Sequence, residues 1–250
     1  MKKSFCIVLC FAVFLSLTSS AFATEESTPQ DGVWIVVTED DGSIHLENSS
    51  TGEVVIYAFK IDEHGNEHSV DLVEYANELN SLPVVPDSPN VTPYVESQEV
   101  VPYKRSLTRY NYKETHSYQG IGTGLKVTPD VVGPATLTYG ESFTISAGYG
   151  SDLTLTSEAK NAIAVNAGYS WNASLSSCSN FSIAKEIPAG RTGYIEFKPY
   201  YYVSEGILTA TRVQIPSGFV LSSTDYEAWG QCPMRLASGF ADGIYSVRYV

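Results

Sequence analysis

The sequence predicts a mainly β protein, in which an antiparallel β-sandwich or an elongated β-sheet domain follows a small acidic ββα unit. Two observations predict the β class. From Tyr103 onward, turn residues separate apolar stretches at intervals of roughly ten residues, which is typical of sandwiches and elongated sheets. The chain also contains 17 tyrosines and many Ser and Thr residues, and these residue types favour strands that expose one face.

The distribution of charge is the third observation, and it divides the chain. Residues 24–102 contain seventeen Asp and Glu but a single basic residue, Lys60, whereas residues 103–250 contain eleven acidic and twelve basic residues. The acidity therefore belongs to the first third, where it chiefly favours solubility. Nucleic acid is not an expected partner, because affinity for it depends on clustered Lys and Arg.

The first 23 residues predict export. Lys2 and Lys3 precede an apolar run over residues 5–17, and Ala21-Phe22-Ala23 forms a signal-peptidase cleavage signature. The run is shorter than the about 20 apolar residues that a transmembrane helix needs. We therefore expect residues 1–23 to be a signal peptide, and the mature protein to be secreted and extracellular, either free or associated with the cell surface.

Residues 24–81 predict the small acidic α+β unit. Turn residues bound three predicted strands, at 32–38, 43–47 and 53–61. A short helix follows, with Ser69 as its expected N-cap and with apolar residues at helical spacing. These apolar residues are Leu72, Tyr75, Ala76 and Leu79.

Residues 82–102 predict a linker, because five prolines resist both a helix and a central strand. They are Pro83, Pro86, Pro89, Pro93 and Pro102. The β-rich domain then occupies residues 103–250. Its strands are predicted at 106–113, 124–128, 135–139, 142–149, 152–156, 193–202, 207–215 and 244–250.

The longest pattern in the sequence alternates apolar and small polar residues from Ile163 to Ile183. A usual strand has five or six residues, so two interpretations stay open. The chain could form two ordinary strands that bend near Gly168 or residues 176–177 over one core. Alternatively, it forms one long amphipathic strand of an elongated sheet, as in β-barrel pores, whose strands need about 9–11 alternating residues.

Two cysteines follow the predicted signal peptide, Cys178 and Cys232. In an oxidising compartment an even number of cysteines predicts a disulfide. Closing a loop of that size would stabilise the fold by roughly 4 kcal/mol in the chain-entropy model. Two separate buried thiols are the alternative.

Catalytic signatures are weak throughout the sequence. His64, Glu67 and His68 form an H-x-x-E-H string, which in metalloproteases lies on a helix. Here Gly65 and Asn66 lie within it and favour a turn, so we expect no metal and keep these three residues as weak candidates only. No nucleophile elbow, dinucleotide loop or Walker loop occurs, so no catalytic residue and no cofactor is expected.

Aromatic residues offer a different candidate site. Tyr200, Tyr201 and Tyr202 could form a stacking surface for a sugar or a protein, although such residues more often build a β core. Carboxylate pairs for sugar hydrolysis depend on three-dimensional approach, and the β-rich domain contains few carboxylates from which to build one.

One stretch resembles a known kind of protein. Residues 170–201, "SWNASLSSCSNFSIAKEIPAGRTGYIEFKPYY", are similar to uncharacterised secreted β-rich proteins of Gram-positive bacteria, which have a Ser-rich strand, a PAG(K/R)TG turn and an aromatic strand. "SGFADGIYSV", residues 238–247, is similar to their C-terminal strand. The resemblance covers roughly residues 135–250 and implies export and a β fold, with no known activity. A more distant resemblance to aerolysin-type pore formers implies a pore, but a separate insertion hairpin and a receptor module are missing.

The sequence therefore predicts a secreted or cell-surface non-enzymatic β protein with a binding or structural role. Its expected partner is a protein or a glycan at the cell surface. An aerolysin-like β-pore-forming protein is the first alternative, and only in that case is a membrane the expected partner. A secreted hydrolase is the second alternative.

Overall fold

The computed structural model describes residues 32–85, 106–140, 143–170, 172–177 and 183–250. It contains two helices, α1 (Leu72–Ser81) and α2 (Ser157–Asn166), among these residues. The strands are β1 (Trp34–Thr38), β2 (Ile44–Asn48), β3 (Val54–Ile61), β4 (Glu67–Val70), β5 (Val84–Val85), β6 (Ser106–Gly122), β7 (Leu125–Lys126), β8 (Val131–Val132), β9 (Ala135–Tyr139), β10 (Thr144–Ser146), β11 (Gly148–Ser151), β12 (Ser174–Ser176), β13 (Ile183–Ile187), β14 (Thr192–Gln214), β15 (Val220–Pro233) and β16 (Gly243–Tyr249). The predicted fold class, mainly β with a sandwich or an elongated sheet, is confirmed.

Strand β14 is the centre of the main sheet. Its 23 residues correspond to about 75 Å of extended chain. Along one edge it pairs in turn with β8, β7 and β6, and along the other edge with β16 and β15, always in the antiparallel sense. The result is a three-stranded ribbon that continues over the whole length of β14.

The acidic first third of the chain shares this sheet. Strand β3 pairs with β16, and the order β1-β2-β3-β16-β14 joins both ends of the sequence. Residues 84–85 of the predicted linker pair with β6 as β5, and residues 86–102 lie outside the described part of the chain. The division into units at 24–81, 82–102 and 103–250 stays a prediction, and the structure adds that their strands hydrogen-bond directly.

Two layers cover the inner half of the main sheet. Side chains at even positions of β14, such as Tyr200, face a core that includes Tyr75 and Leu79 of α1. Side chains at odd positions, such as Phe197, face a second core, which also contains residues from the two small sheets β9–β13 and β10–β12. The inner half is therefore buried on both faces.

Helix α2 packs further along the sheet, on the same face as α1. Its Ile163 lies in a third core with Leu208 of β14 and Tyr112 of β6. Since the third core contains even positions of β14, the two helices lie side by side along one face of the ribbon.

The predicted helix after residue 69 is confirmed, but its predicted N-cap is wrong. Ser69 belongs to β4 and pairs with Phe59. Asp71 is the N-cap, because its carboxylate accepts hydrogen bonds from the backbone N–H groups of Val73 and Glu74 at 2.8 and 3.1 Å. An Asp at this position satisfies donors that the first helical turn leaves free.

Both interpretations of residues 163–183 predicted a strand at the start of this segment, and there both are wrong. Residues 157–166 form helix α2, which Thr156 caps by accepting a hydrogen bond from the backbone of Ala159 at 3.3 Å. Ala159, Ile163 and Ala164 are buried, and this is the spacing of a helix rather than of a strand. Strand β12 follows at 174–176, and residues 171 and 178–182 lie outside the described part of the chain.

The other strand predictions are correct in most places. Residues 135–139 match β9, and the turn predicted at Pro188-Ala189-Gly190 leads into β14, with Gly190 at a positive φ of 79°. The predicted strands 193–202 and 207–215 are parts of the single strand β14. No strand forms at 152–156, and β15, with 14 residues, was not predicted.

Candidate binding surface

The outer part of the three-stranded ribbon forms a projecting arm. We define the arm as residues 106–114 of β6, 206–214 of β14 and 220–227 of β15, with the loop 215–219. Within the part of the chain that the structure describes, the arm contributes to a core cluster only near its root, through Tyr110, Tyr112 and Leu208. Beyond these residues, no other core cluster of the described part of the chain includes residues of the arm.

Polar contacts between neighbouring strands hold the arm together. Thr209 donates a hydrogen bond to the Asp225 carboxylate at 2.7 Å, and the hydroxyls of Thr211 and Ser223 lie 3.2 Å apart. Both pairs lie directly opposite each other across β14 and β15. Such cross-strand pairs contribute roughly 0.2–1 kcal/mol each, so the arm is stabilised by pairing rather than by a core.

The loop 215–219 closes the hairpin between β14 and β15. The backbone N–H of Gln214 donates to the carbonyl of Phe219, and that of Gly218 donates to the carbonyl of Gln214, both at 2.8 Å. Gly218 has φ +71°, a conformation that side chains disfavour. A Cβ there would meet no atom within 4 Å, so glycine is needed for the turn and not for space.

Apolar side chains surround this loop, although hairpin loops are usually polar. Five large apolar residues at the end of the arm are between 44% and 67% exposed. They are Leu107, Ile215, Phe219, Val220 and Leu221, and together we call them the apolar tip. Only Val213, which pairs with Leu107 and Val220, is buried among them.

The charge of the tip region is opposite to that of the chain. The chain has a formal net charge of −13. Residues 106–110 and 210–224, which lie beyond the Thr209–Asp225 pair, include Arg109 and Arg212 and no Asp or Glu. Both arginines are exposed, and in the described residues neither forms an ion pair; Arg212 donates to the hydroxyl of Ser106 at 3.0 Å.

A second group of charged residues lies buried under α1. The Arg248 guanidinium is 2.5 Å from the Glu196 carboxylate and 2.9 Å from that of Glu53, and it lies 4.9 Å from the ring centre of Trp34. Burial disfavours the charge of Arg248, but Glu196 and the neighbouring Tyr75, Glu53 and Tyr194 together outweigh it and raise the pKa of the guanidinium. Burial lowers the pKa of the neighbouring Lys198. Because these side chains lie beneath a helix, they suit a structural ion network rather than a substrate site.

The three candidate tyrosines, Tyr200, Tyr201 and Tyr202, do not share one surface. Tyr200 lies in the core under α1 and donates to Glu78 at 2.6 Å, whereas Tyr201 lies in the core on the opposite face. Burial, followed by the hydrogen bond to Glu78, raises the pKa of Tyr200. Tyr202 is half-buried and its hydroxyl lies 3.3 Å from Glu114. The alternation of side chains along β14 places Tyr201 on one face and Tyr200 and Tyr202 on the other.

The residues of the H-x-x-E-H string lie on a hairpin and point to different partners. His64 is in the turn, and Glu67 accepts hydrogen bonds from Tyr57 and Lys185 at 2.7 and 2.6 Å. His68 lies 2.8 Å from Asp62, and this contact lowers the pKa of the aspartate. Among the described residues, no group of three or more His, Cys, Asp or Glu side chains could hold a metal ion.

Cys232 carries a free thiol in the structure, and Cys178 lies outside the described residues, so the disulfide stays a prediction. Burial raises the pKa of the Cys232 thiol to about 11. The thiol lines a cavity of about 240 Å³ beside the C-terminal end of α2, together with Ala167, Gly168, Tyr169, Tyr202 and Pro233. This volume lies below the about 300–1,000 Å³ of usual ligand pockets.

Sequence interpretation missed the apolar tip. The available signal was the segment "IPSGFVL", residues 215–221, in which a Pro-Ser-Gly turn is bounded by large apolar residues instead of polar ones. In comparisons with known proteins, no family model and no curated protein matches this chain. In the described residues, neither helix has the length and apolar character needed to cross a membrane.

Proposed function

We propose that this protein is a secreted or cell-surface, non-enzymatic binding protein that binds its partner through the apolar tip. The observation that carries the proposal is the exposure of Ile215, Phe219, Val220 and Leu221 at the end of an otherwise polar arm. Exposed apolar residues in contiguous groups usually mark a binding surface, whereas single ones need no explanation.

The architecture supports this role. The arm extends well beyond the cores of the inner sheet, and its polar cross-strand pairs maintain it without a core of its own. A hairpin loop can be closed by polar residues, so the fold itself does not require large apolar side chains at residues 215 and 219. The presence of these side chains is explained if a binding partner covers the tip.

The test is to measure binding of the fluorescently labelled full chain to intact bacterial and epithelial cells by flow cytometry. We expect saturable binding to at least one surface. The tip variant Phe219→Ser/Leu221→Ser should bind at least about tenfold more weakly, because each apolar side chain contributes on the order of 1.5–3 kcal/mol when fully buried.

The matched control is Ile35→Ser/Val165→Ser, which removes two apolar side chains that are 50% and 64% exposed and do not belong to the apolar tip. This control should bind like the wild type. Undiminished binding by the tip variant would contradict a function at the tip.

Formation of an oligomeric β-pore is the second candidate, and strand length favours it. The strands β6, β14 and β15 have 17, 23 and 14 residues, more than the about 9–11 residues that span a bilayer. A pore predicts dye release from vesicles together with heat-resistant oligomers. Binding without release and without oligomers would favour the simple binding protein.

A further inference from the structure

The apolar tip combines two features that a lipid surface recognises together. Its large side chains, headed by Phe219 at 67% exposure, can enter the boundary between headgroups and acyl chains. Its two arginines, which form no ion pair within the described residues, are cations in a chain whose formal net charge is −13. Binding of a protein to a bilayer surface increases with buried apolar area and with attraction to anionic lipids.

The spacing of these features matches the depth of a bilayer interface. Arg212 lies three residues before Ile215, which is about 10 Å along an extended strand. Arg109 pairs with Thr211 at nearly the same level. Apolar groups of interfacial segments enter about 5–10 Å into the headgroup boundary. With the loop inserted to that depth, both guanidinium groups would lie at the level of the phosphates.

The two arginines also lie on opposite faces of the arm. Side chains alternate along β14, and Thr211, which pairs with Arg109, faces away from Arg212. The cations therefore flank the apolar residues on both sides. An arm that enters a flat anionic surface end-on can use both of them, whereas a partner docked on one face of the arm could use only one.

We propose that the apolar tip inserts shallowly into the surface of an anionic phospholipid bilayer, with Arg109 and Arg212 contacting lipid phosphates. The inference rests on the proposed binding function and names its partner. A protein partner is the less suitable occupant, since a stable protein interface buries about 800 Å² per partner and five side chains expose only a few hundred Å². The sequence predicted a membrane partner only for a pore-forming protein. Shallow insertion of the tip into a bilayer surface does not require a pore.

The experiment is flotation of the full chain with vesicles of phosphatidylcholine, with or without 30% phosphatidylglycerol (about one anionic lipid in three). We expect binding to the anionic vesicles that weakens as salt rises from 0.1 to 0.5 M, because added salt screens the charges. Phe219→Ser/Leu221→Ser should weaken binding at least about tenfold, and Ile35→Ser/Val165→Ser should not.

The contribution of the arginines is tested separately. Arg109→Gln/Arg212→Gln should reduce partitioning onto anionic vesicles by about 10- to 30-fold, since each cation near such a surface contributes about a factor of five. Arg191→Gln/Arg235→Gln changes the net charge equally at exposed arginines elsewhere and should bind like the wild type. Equal effects of the two pairs would overturn the phosphate contacts.

The depth of tip insertion is measured with Phe219→Trp. The tryptophan emission of this variant should shift to the blue on anionic vesicles. Lipids labelled near the headgroup end of the acyl chain should quench it. Absence of both changes would overturn insertion. If the chain binds cells through the tip but binds no vesicle, the lipid inference fails and the binding function stands. If tip variants bind cells and vesicles like the wild type, the proposed function itself fails.

Discussion

The two halves of strand β14 differ in what covers them, although they form one continuous strand. In the inner half, residues of both parities are buried, as Ile195, Phe197, Tyr200 and Tyr201 illustrate. In the outer half, Thr209, Thr211 and Arg212 are partly or fully exposed. The difference shows that hydrogen-bonded pairing carries the strand far beyond the cores, to which the outer half contributes Leu208 near its root.

The two halves therefore depend on different interactions. The inner half is stabilised by buried apolar area and by one enclosed ion network around Arg248. The outer half depends on backbone pairing and on exposed hydroxyl and carboxylate contacts. Removal of a side chain should consequently have large effects in the inner half and small effects in the arm.

The largest expected effect is that of Arg248→Met. This substitution leaves two carboxylates, Glu196 and Glu53, without their buried cation, and it also removes the contact with Trp34. Breaking a buried ion pair from one side costs about 3–5 kcal/mol, and we expect a value in the upper part of this range. Urea unfolding monitored by circular dichroism measures it.

A double variant tests whether the ion network is the cause. Adding Glu196→Gln to Arg248→Met removes one of the two uncompensated charges, so at least part of the lost stability should return. The double variant should be more stable than Arg248→Met alone. If it is less stable, Arg248 acts through its packing and not through its charge.

The next largest change in stability is expected at Phe197 in the inner half, and Phe219 in the arm provides the comparison. Phe197 is fully buried between the rings of Phe143 and Tyr245, with centroid distances of 5.3 and 4.5 Å. Phe197→Ala should cost about 3–4 kcal/mol, because it leaves a cavity in the core. Phe219→Ala should change the free energy of unfolding by less than about 0.5 kcal/mol, as is usual at exposed positions. Equal costs would contradict the contrast between the two regions.

The same contrast explains what the sequence could and could not predict. Strands of the inner half were predictable, because buried apolar residues mark 193–202 and 244–250. Strand β15 was missed because its outer residues, "SSTDYE" at 222–227, face solvent and show no apolar alternation. Pairing with β14 determines that this segment is a strand, and pairing partners are not visible in local sequence.

Helix α2 shows a different cause of error. Residues 163–166 continue the odd-even alternation of the segment that follows, so a period of two fits them by chance. The helix depends on the Thr156 cap and on tertiary contacts of Ile163 with the sheet. The tertiary contacts are not visible in the local sequence. The apolar tip was missed for a related reason, since apolar residues beside a turn usually enter a core and only the structure shows these exposed.

The change in stability caused by a titrating carboxyl should be smaller than the changes caused by the core substitutions. Burial, reinforced by Glu78 and opposed by Lys60, raises the pKa of the Asp242 carboxyl in the inner half. The folded state therefore holds this proton more tightly than the unfolded state does, and the contribution to stability is lost as pH rises through the raised pKa. Asp242→Asn should stabilise the protein by up to about 1 kcal/mol at pH 7.

This gain should shrink as pH falls towards and below 3.8, the ordinary pKa of an aspartate carboxyl, because the wild-type carboxyl then becomes neutral in both states. Urea midpoints of wild type and variant, measured at pH 4 and pH 7, give the difference. Asp225→Asn on the arm is the comparison at an exposed position. A gain for Asp242→Asn that is larger at pH 4 than at pH 7 would contradict the assigned direction.

The smallest expected change in the free energy of unfolding is that of a substitution in the arm, on the face of β14 that carries the odd-numbered side chains. Thr211→Ala removes an exposed hydroxyl contact with Ser223 and should cost about 0.5 kcal/mol or less. Val203→Ala, further inward on that face and only 3% exposed, should cost about 2 kcal/mol through lost burial and a small cavity. Urea unfolding of both variants under one condition measures the ratio. If Thr211→Ala costs as much as Val203→Ala, an additional layer covers the arm in solution, and the arm is not the exposed projection on which binding by its tip depends.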